Sequence, residues 1–133
     1  MKTTISSEFR IRGQNFNPIE LSKLLKISHS LIWNKGDAIE RSPIMRRKDS
    51  GWVLKIKEQP ALSLEAQLIK LLKIISPRNR KIKEVCQQLN LKTEFSFAVY
   101  IQNNVAPSIY IEPEVIKHIE KLNAFVDIDI FCL

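Results

Sequence analysis

The run Glu94-Phe95-Ser96-Phe97-Ala98-Val99-Tyr100-Ile101 alternates without a break. Phe95, Phe97, Val99 and Ile101 fall on one side. Glu94, Ser96, Ala98 and Tyr100 fall on the other. Successive side chains of a strand point to opposite faces, so this run is predicted to be a strand with one buried face. Such a strand cannot stand alone. It needs neighbours in a sheet and a layer that covers its apolar side, and the rest of the chain has to supply both.

Three other stretches carry the same period. Phe9 and Ile11 alternate with Arg10 and Arg12 before Gly13. Trp52, Leu54 and Ile56 alternate with Val53, Lys55 and Lys57. From Phe125 to Cys132, Val126, Ile128, Ile130 and Cys132 are expected inward, with Asp127 and Asp129 outward. Asn103-Asn104 is turn chemistry, and Pro107 to Ile111 is predicted to return as a short strand, closing a hairpin on the 94–101 strand.

Helical spacing accounts for much of the remainder. Asn17-Pro18 supplies an N-cap and a proline at the first helical position, opening a helix to about Lys26 with Leu21, Leu24 and Leu25 as its stripe. Ser63 caps a helix in which Leu64, Leu68, Leu71, Leu72 and Ile75 repeat, and which ends before Pro77. A second helical piece is predicted from about Asn79 to Leu89. Glu112-Pro113-Glu114 opens a last helix with Val115, Ile116, Ile119 and Leu122 inward. Residues 27–50 keep no period and are expected to form a long irregular loop.

The order β-α-β-α-β-β-α-β predicts an α+β fold: a mixed, mostly antiparallel sheet of about five strands with helices packed on one face. A single domain over residues 1–133 is expected from the length. If the first and last strands are neighbours, Arg10 and Arg12 face Asp127 and Asp129 across the ladder.

The segments F-R-I-R-G, N-P-I-E-L-S-K-L-L, W-N-K-G-D, G-W-V-L-K and A-F-V-D-I-D-I, taken together, resemble the bacterial domain-of-unknown-function family 4279. The resemblance runs from about Phe9 to Phe131. It implies a compact α+β domain in bacteria and brings no catalytic residues with it.

The formal net charge is +7. Residues 1–57 hold 12 Lys/Arg against 5 Asp/Glu, residues 58–92 hold 7 against 3, and residues 93–133 hold 2 against 6. A basic front and an acidic back can steer an acidic partner to one face. The two cysteines, Cys86 and Cys132, lack metal spacing, lie in apolar patterns and are expected to be reduced core thiols. No apolar run reaches the roughly 18–20 residues of a membrane span, and the N-terminus lacks the apolar core of a secretory signal. A cytoplasmic protein with no membrane partner is the expectation.

The residues for catalysis are sparse. His29 and His118 are the only histidines, and only the weak pair Glu114 and His118 has helical spacing toward a metal. Ser28-His29-Ser30 supplies nucleophile and base types, but as sequence neighbours. Asp127 and Asp129 lie about 7 Å apart on one strand face, and Arg10 and Arg12 would keep them ionised, the wrong state for a general acid. Neither G-x-G-x-x-G nor G-x-x-x-x-G-K occurs. No catalytic residue, metal or cofactor is assigned, and a non-enzymatic binding module is expected.

The candidate contact residues are Trp33, Lys35, Met45, Arg46, Arg47 and Lys48 in the irregular loop. Arg78, Arg80 and Lys81 join them at the start of the helix near Asn79, where the positive helix end makes cations costly. Aromatic, Met and Arg side chains are enriched in interfaces. The expected partner is another protein with an acidic face. A toxin is one version of it, which would make this chain an immunity protein. Nucleic acid is the alternative, since basic clusters and tryptophans are what it needs. An open edge at the last strand would also permit a homodimer.

Overall fold

Ile5, Phe9 and Ile11 of β1 (Thr4–Gly13) are fully buried, because a strand flanks each side of β1 and helices cover its apolar face. The structure, a computed structural model, describes residues 1–133. β1 pairs antiparallel with β3 (Ser50–Pro60) and with β4 (Lys92–Ile101). β2 (Leu31–Trp33) adds to β3 antiparallel, and β5 (Phe125–Cys132) adds to β4 in parallel. The order is β2-β3-β1-β4-β5. This is the mixed, mostly antiparallel five-stranded sheet that the alternating runs predict.

Four helices cover one face: α1 (Pro18–Leu25), α2 (Leu64–Ile75), α3 (Asn79–Leu89) and α4 (Pro113–Lys121). Their ends follow local chemistry. The Asn17 side chain accepts from the amides of Ile19 and Glu20, and Ser63 Oγ accepts from the amide of Ala66 at 3.2 Å. Such caps satisfy amides that the helix itself leaves open. Leucines of α1 and α2, Ile82 and Val85 of α3, and Val115 and Ile119 of α4 meet the sheet in one core cluster of 21 residues. Phe9 sits within it, its ring centroid 5.0 Å from Phe95 and 6.5 Å from Trp52. Burying each such ring or aliphatic side chain contributes about 1.5–3 kcal/mol.

Several expectations are corrected. Residues 107–111 are not a strand of the sheet. Ser108 exchanges backbone hydrogen bonds with Leu62 and Leu64 ahead of α2, at 2.7 and 3.0 Å. Asn103 and Asn104 do turn, both with positive φ, but Val105 folds straight back on Gln102, and the Thr3 hydroxyl donates to its carbonyl. The chain then leaves the sheet through α4, so the next strand arrives parallel. The fifth strand is instead β2, three residues long, inside the stretch that shows no period.

The first and last strands are also not neighbours, because β4 lies between them. Arg10 pairs with Glu8 at 2.6 Å and Arg12 with Glu94 at 3.8 Å, leaving Asp127 and Asp129 without ion pairs. Finally, β5 is not buried. Val126, Ile130 and Cys132 are exposed, and only Ile128 is half-covered. Their register beside Phe95, Phe97 and Val99 puts Val126, Ile128 and Ile130 on the helix side, but the helical layer stops short of the edge. Ile116 of α4, expected inward, is likewise half exposed.

Two of the buried hydroxyls stand in opposite circumstances. Thr93 Oγ1 is buried and donates to the Leu122 carbonyl at 3.0 Å, tying β4 to the end of α4. Ser7 Oγ is buried with no partner. Thr93→Val should therefore cost about 1–3 kcal/mol in denaturant unfolding, since it orphans a buried carbonyl. Ser7→Ala should be neutral or stabilising by about 1 kcal/mol, since it removes an unpaired polar group.

Candidate functional site

Along β2, Ile32 packs against the core and its neighbours Leu31 and Trp33 point to the opposite, helix-free face. On that outer face Trp33 lies opposite Gly51 of β3. The indole covers Gly51 so closely that a Cβ there would overlap the ring. Glycine is what lets the two elements approach. From the other side the Arg47 guanidinium stacks on the ring, 4.4 Å from its centroid. The Trp33 indole N–H donates to Asp49 Oδ1 at 3.2 Å. Trp33 is only 8% exposed as a result.

The sixteen-odd residues from Asn34 to Asp49 are thus anchored at their base, and they are ordered above it. Gly36, at φ 92°, donates its amide to the Arg47 carbonyl at 2.8 Å, and the Arg47 amide returns to Asp37 at 2.9 Å. Ala38 bridges Arg46, and the Ile39 amide reaches the Met45 carbonyl at 3.4 Å. The Asp37 carboxylate accepts from the Asn34 amide at 2.7 Å. The loop is an irregular hairpin that continues β2 and β3.

Its charges are sorted by use. Asp37 and Asp49 accept hydrogen bonds within the loop. Lys35, Arg41, Arg46, Arg47 and Lys48 take part in no ion pair. All but Arg47 are exposed, as is Met45. Beside the hairpin lies a recess of about 360 Å³ lined by apolar side chains such as Leu31, Trp33 and Ile39, by two arginines, Arg41 and Arg47, and by two acids, Asp37 and Glu40.

The second basic cluster is elsewhere. Arg78, Arg80 and Lys81 stand at the start of α3, in the helical layer on the other side of the sheet, and Lys81 pairs with Glu84 at 3.7 Å. The nine candidate residues therefore form two surfaces rather than one. Trp33 belongs to the first as its foundation, with its ring covered, and not as a ring offered to a ligand.

One constellation escaped the sequence reading. Ser22 Oγ of α1 accepts from the Trp52 indole N–H at 2.8 Å and lies 2.8 Å from His29 Nδ1. Seven and thirty residues of separation hide these contacts from any spacing rule. No carboxylate takes part in the His29 hydrogen bonds, so the group ties α1 to β3 and to the lead into β2. Burial pushes the Cys86 thiol up to about 11, which keeps it protonated and unreactive at neutral pH. No group of three or more His, Cys, Asp or Glu side chains converges, and no helix is long and apolar enough to cross a membrane.

The family described as a domain of unknown function (DUF4279) matches residues 2–133. The chain belongs to this family. No curated protein and no solved structure matches the chain. The family's span takes in the whole sheet, from β1 to β5, together with the basic hairpin.

Gly51→Ala tests the foundation of the site. The added methyl must push the indole away, releasing Arg47 and the Asp49 bond with it. A loss of about 1–3 kcal/mol is expected in unfolding experiments, together with a red-shifted tryptophan emission. An unshifted spectrum and unchanged stability would contradict this packing.

Proposed function

We propose that this chain is a non-enzymatic protein-binding module that docks an acidic protein face onto the β2–β3 hairpin. The observation that carries this reading is the excess of free cations in the hairpin: Asp37 and Asp49 are engaged internally, which leaves the one exposed acid Glu40 against the exposed, unpaired Lys35, Arg41, Arg46 and Lys48. A basic surface held by backbone hydrogen bonds loses little freedom on binding.

A bacterial, cytoplasmic setting is part of the proposal, and the free thiols Cys86 and Cys132 suit a reducing compartment. A toxin with an acidic face is one partner of the required chemistry, which would make the chain its immunity protein. A basic nuclease is a poor candidate for this surface, because like charges slow and weaken docking onto the exposed cations of the hairpin.

Nucleic acid is the weaker reading on two observations. Trp33 is covered and cannot serve as a stacking platform. Of the three exposed aromatics, Phe125 and Phe131 share a strand face with Asp127 and Asp129, which repel phosphate; the third is Tyr110.

The test is affinity capture from a bacterial lysate, with nuclease and at two salt concentrations, using the native chain and a Lys35→Ser, Arg46→Ser, Lys48→Ser variant. Arg47 is left in place because it packs on Trp33. The same acidic protein should be retained after nuclease treatment and held about tenfold more weakly by the variant, in line with about 0.2–1 kcal/mol for each exposed pair. Equal retention by the variant, or loss of all captured material with nuclease, would refute the proposal.

A further inference from the structure

β5 is an eight-residue edge strand. β4 pairs with one side of it along the whole length, from Glu94 opposite Phe125 to Ile101 opposite Cys132, with no bulge. The other side is free. Edges are usually blunted by proline, lysine, bulges or shortness. The β2 edge follows that rule with three residues. β5 does not: Phe125 to Cys132 contains no proline, no lysine and no glycine.

Its side chains are uncovered on both faces. Val126 and Ile130 are 40% and 52% exposed on the helix side, and Phe125 and Phe131 are 59% and 44% exposed on the outer side. Phe131 stacks on Tyr100 of β4 at 5.2 Å, which fixes the end of the outer row. Between the two rings on that face stand Asp127 and Asp129, both exposed and without an ion pair. An acidic, unblunted edge on a chain of net charge +7 specifies its occupant. A second copy fits poorly, because antiparallel pairing centred on Ile128 sets Asp127 opposite Asp129 of the other copy, and like charges directly opposite destabilise a ladder.

We propose that β5 is a strand-addition site for an extended segment of another protein, with Lys or Arg at every second position and apolar side chains between. Its backbone continues the ladder. Its cations meet Asp127 and Asp129 on the outer face. Its apolar side chains lie beside Val126, Ile128 and Ile130 on the other. This surface is at the opposite edge of the sheet from the basic hairpin and stands whether or not the hairpin binds an acidic protein.

The experiment is a fluorescence-anisotropy titration of the full chain with three labelled ten-residue peptides. One alternates lysine and valine, one alternates glutamate and valine, and one is the lysine–valine peptide with every backbone nitrogen methylated. The lysine–valine peptide should bind at least tenfold more tightly than either of the others. An Asp127→Lys, Asp129→Lys variant should reverse the preference between lysine and glutamate, and the loop variant should leave it unchanged. Three results would each overturn the proposal: equal binding of the lysine and glutamate peptides, equal binding of the methylated peptide, or a dimer in sedimentation that the lysine–valine peptide fails to dissociate.

Discussion

The indole of Trp33 rests on the one residue of β3 that has no side chain. With any other residue at position 51 the ring could not lie flat on the outer face, and Arg47 would have nothing to cover. The hairpin from Asn34 to Asp49 takes its direction from that contact. The ring holds its base, the Asp49 carboxylate fixes the ring's edge, and the ladder between Gly36 and Arg47 does the rest. Because the internal bonds consume Asp37 and Asp49, Glu40 is the one uncommitted acid left among the hairpin's five cations. A packing event on an otherwise bare sheet face thereby becomes an electrostatic surface.

The topology sets a second surface against the first. β1 occupies the middle of the sheet, so the two edges belong to β2 and β5. The basic hairpin extends one edge and the acidic strand forms the other. The turn at Asn103-Asn104 would have allowed β4 to continue into a hairpin. Diverting the chain through Pro107 and α4 brings the last strand back in parallel instead, with its far side open. The charge gradient along the sequence therefore becomes a gradient across the sheet.

Strong local signals were legible. The caps Asn17 and Ser63, the break at Pro77, and the alternation in β3 and β4 located those elements to within a few residues. The N-terminal half of β1 was hidden because Ser6 and Ser7 interrupt its apolar rhythm, even though Ser7 faces the core. β2 was hidden because three residues carry no period. The burial of β5 was overestimated because alternation reports which face a side chain takes, and not whether anything covers it. The candidate contact residues stood out in the sequence as a charge density. That they divide between hairpin and α3, and that Trp33 lies beneath rather than within the surface, depends on contacts between β2, β3 and Arg47 that no sequence spacing encodes.

The central claim is that the basic hairpin is held in one shape by its own hydrogen bonds and by the Trp33 stack. Amide hydrogen exchange resolved by residue tests it most directly. The account predicts that the Gly36 and Arg47 amides, which pair within the hairpin, are protected to a degree that approaches the neighbouring β3 amides. Exchange of both at the rate of an unstructured peptide, while β3 stays protected, would show a loose loop and contradict the account.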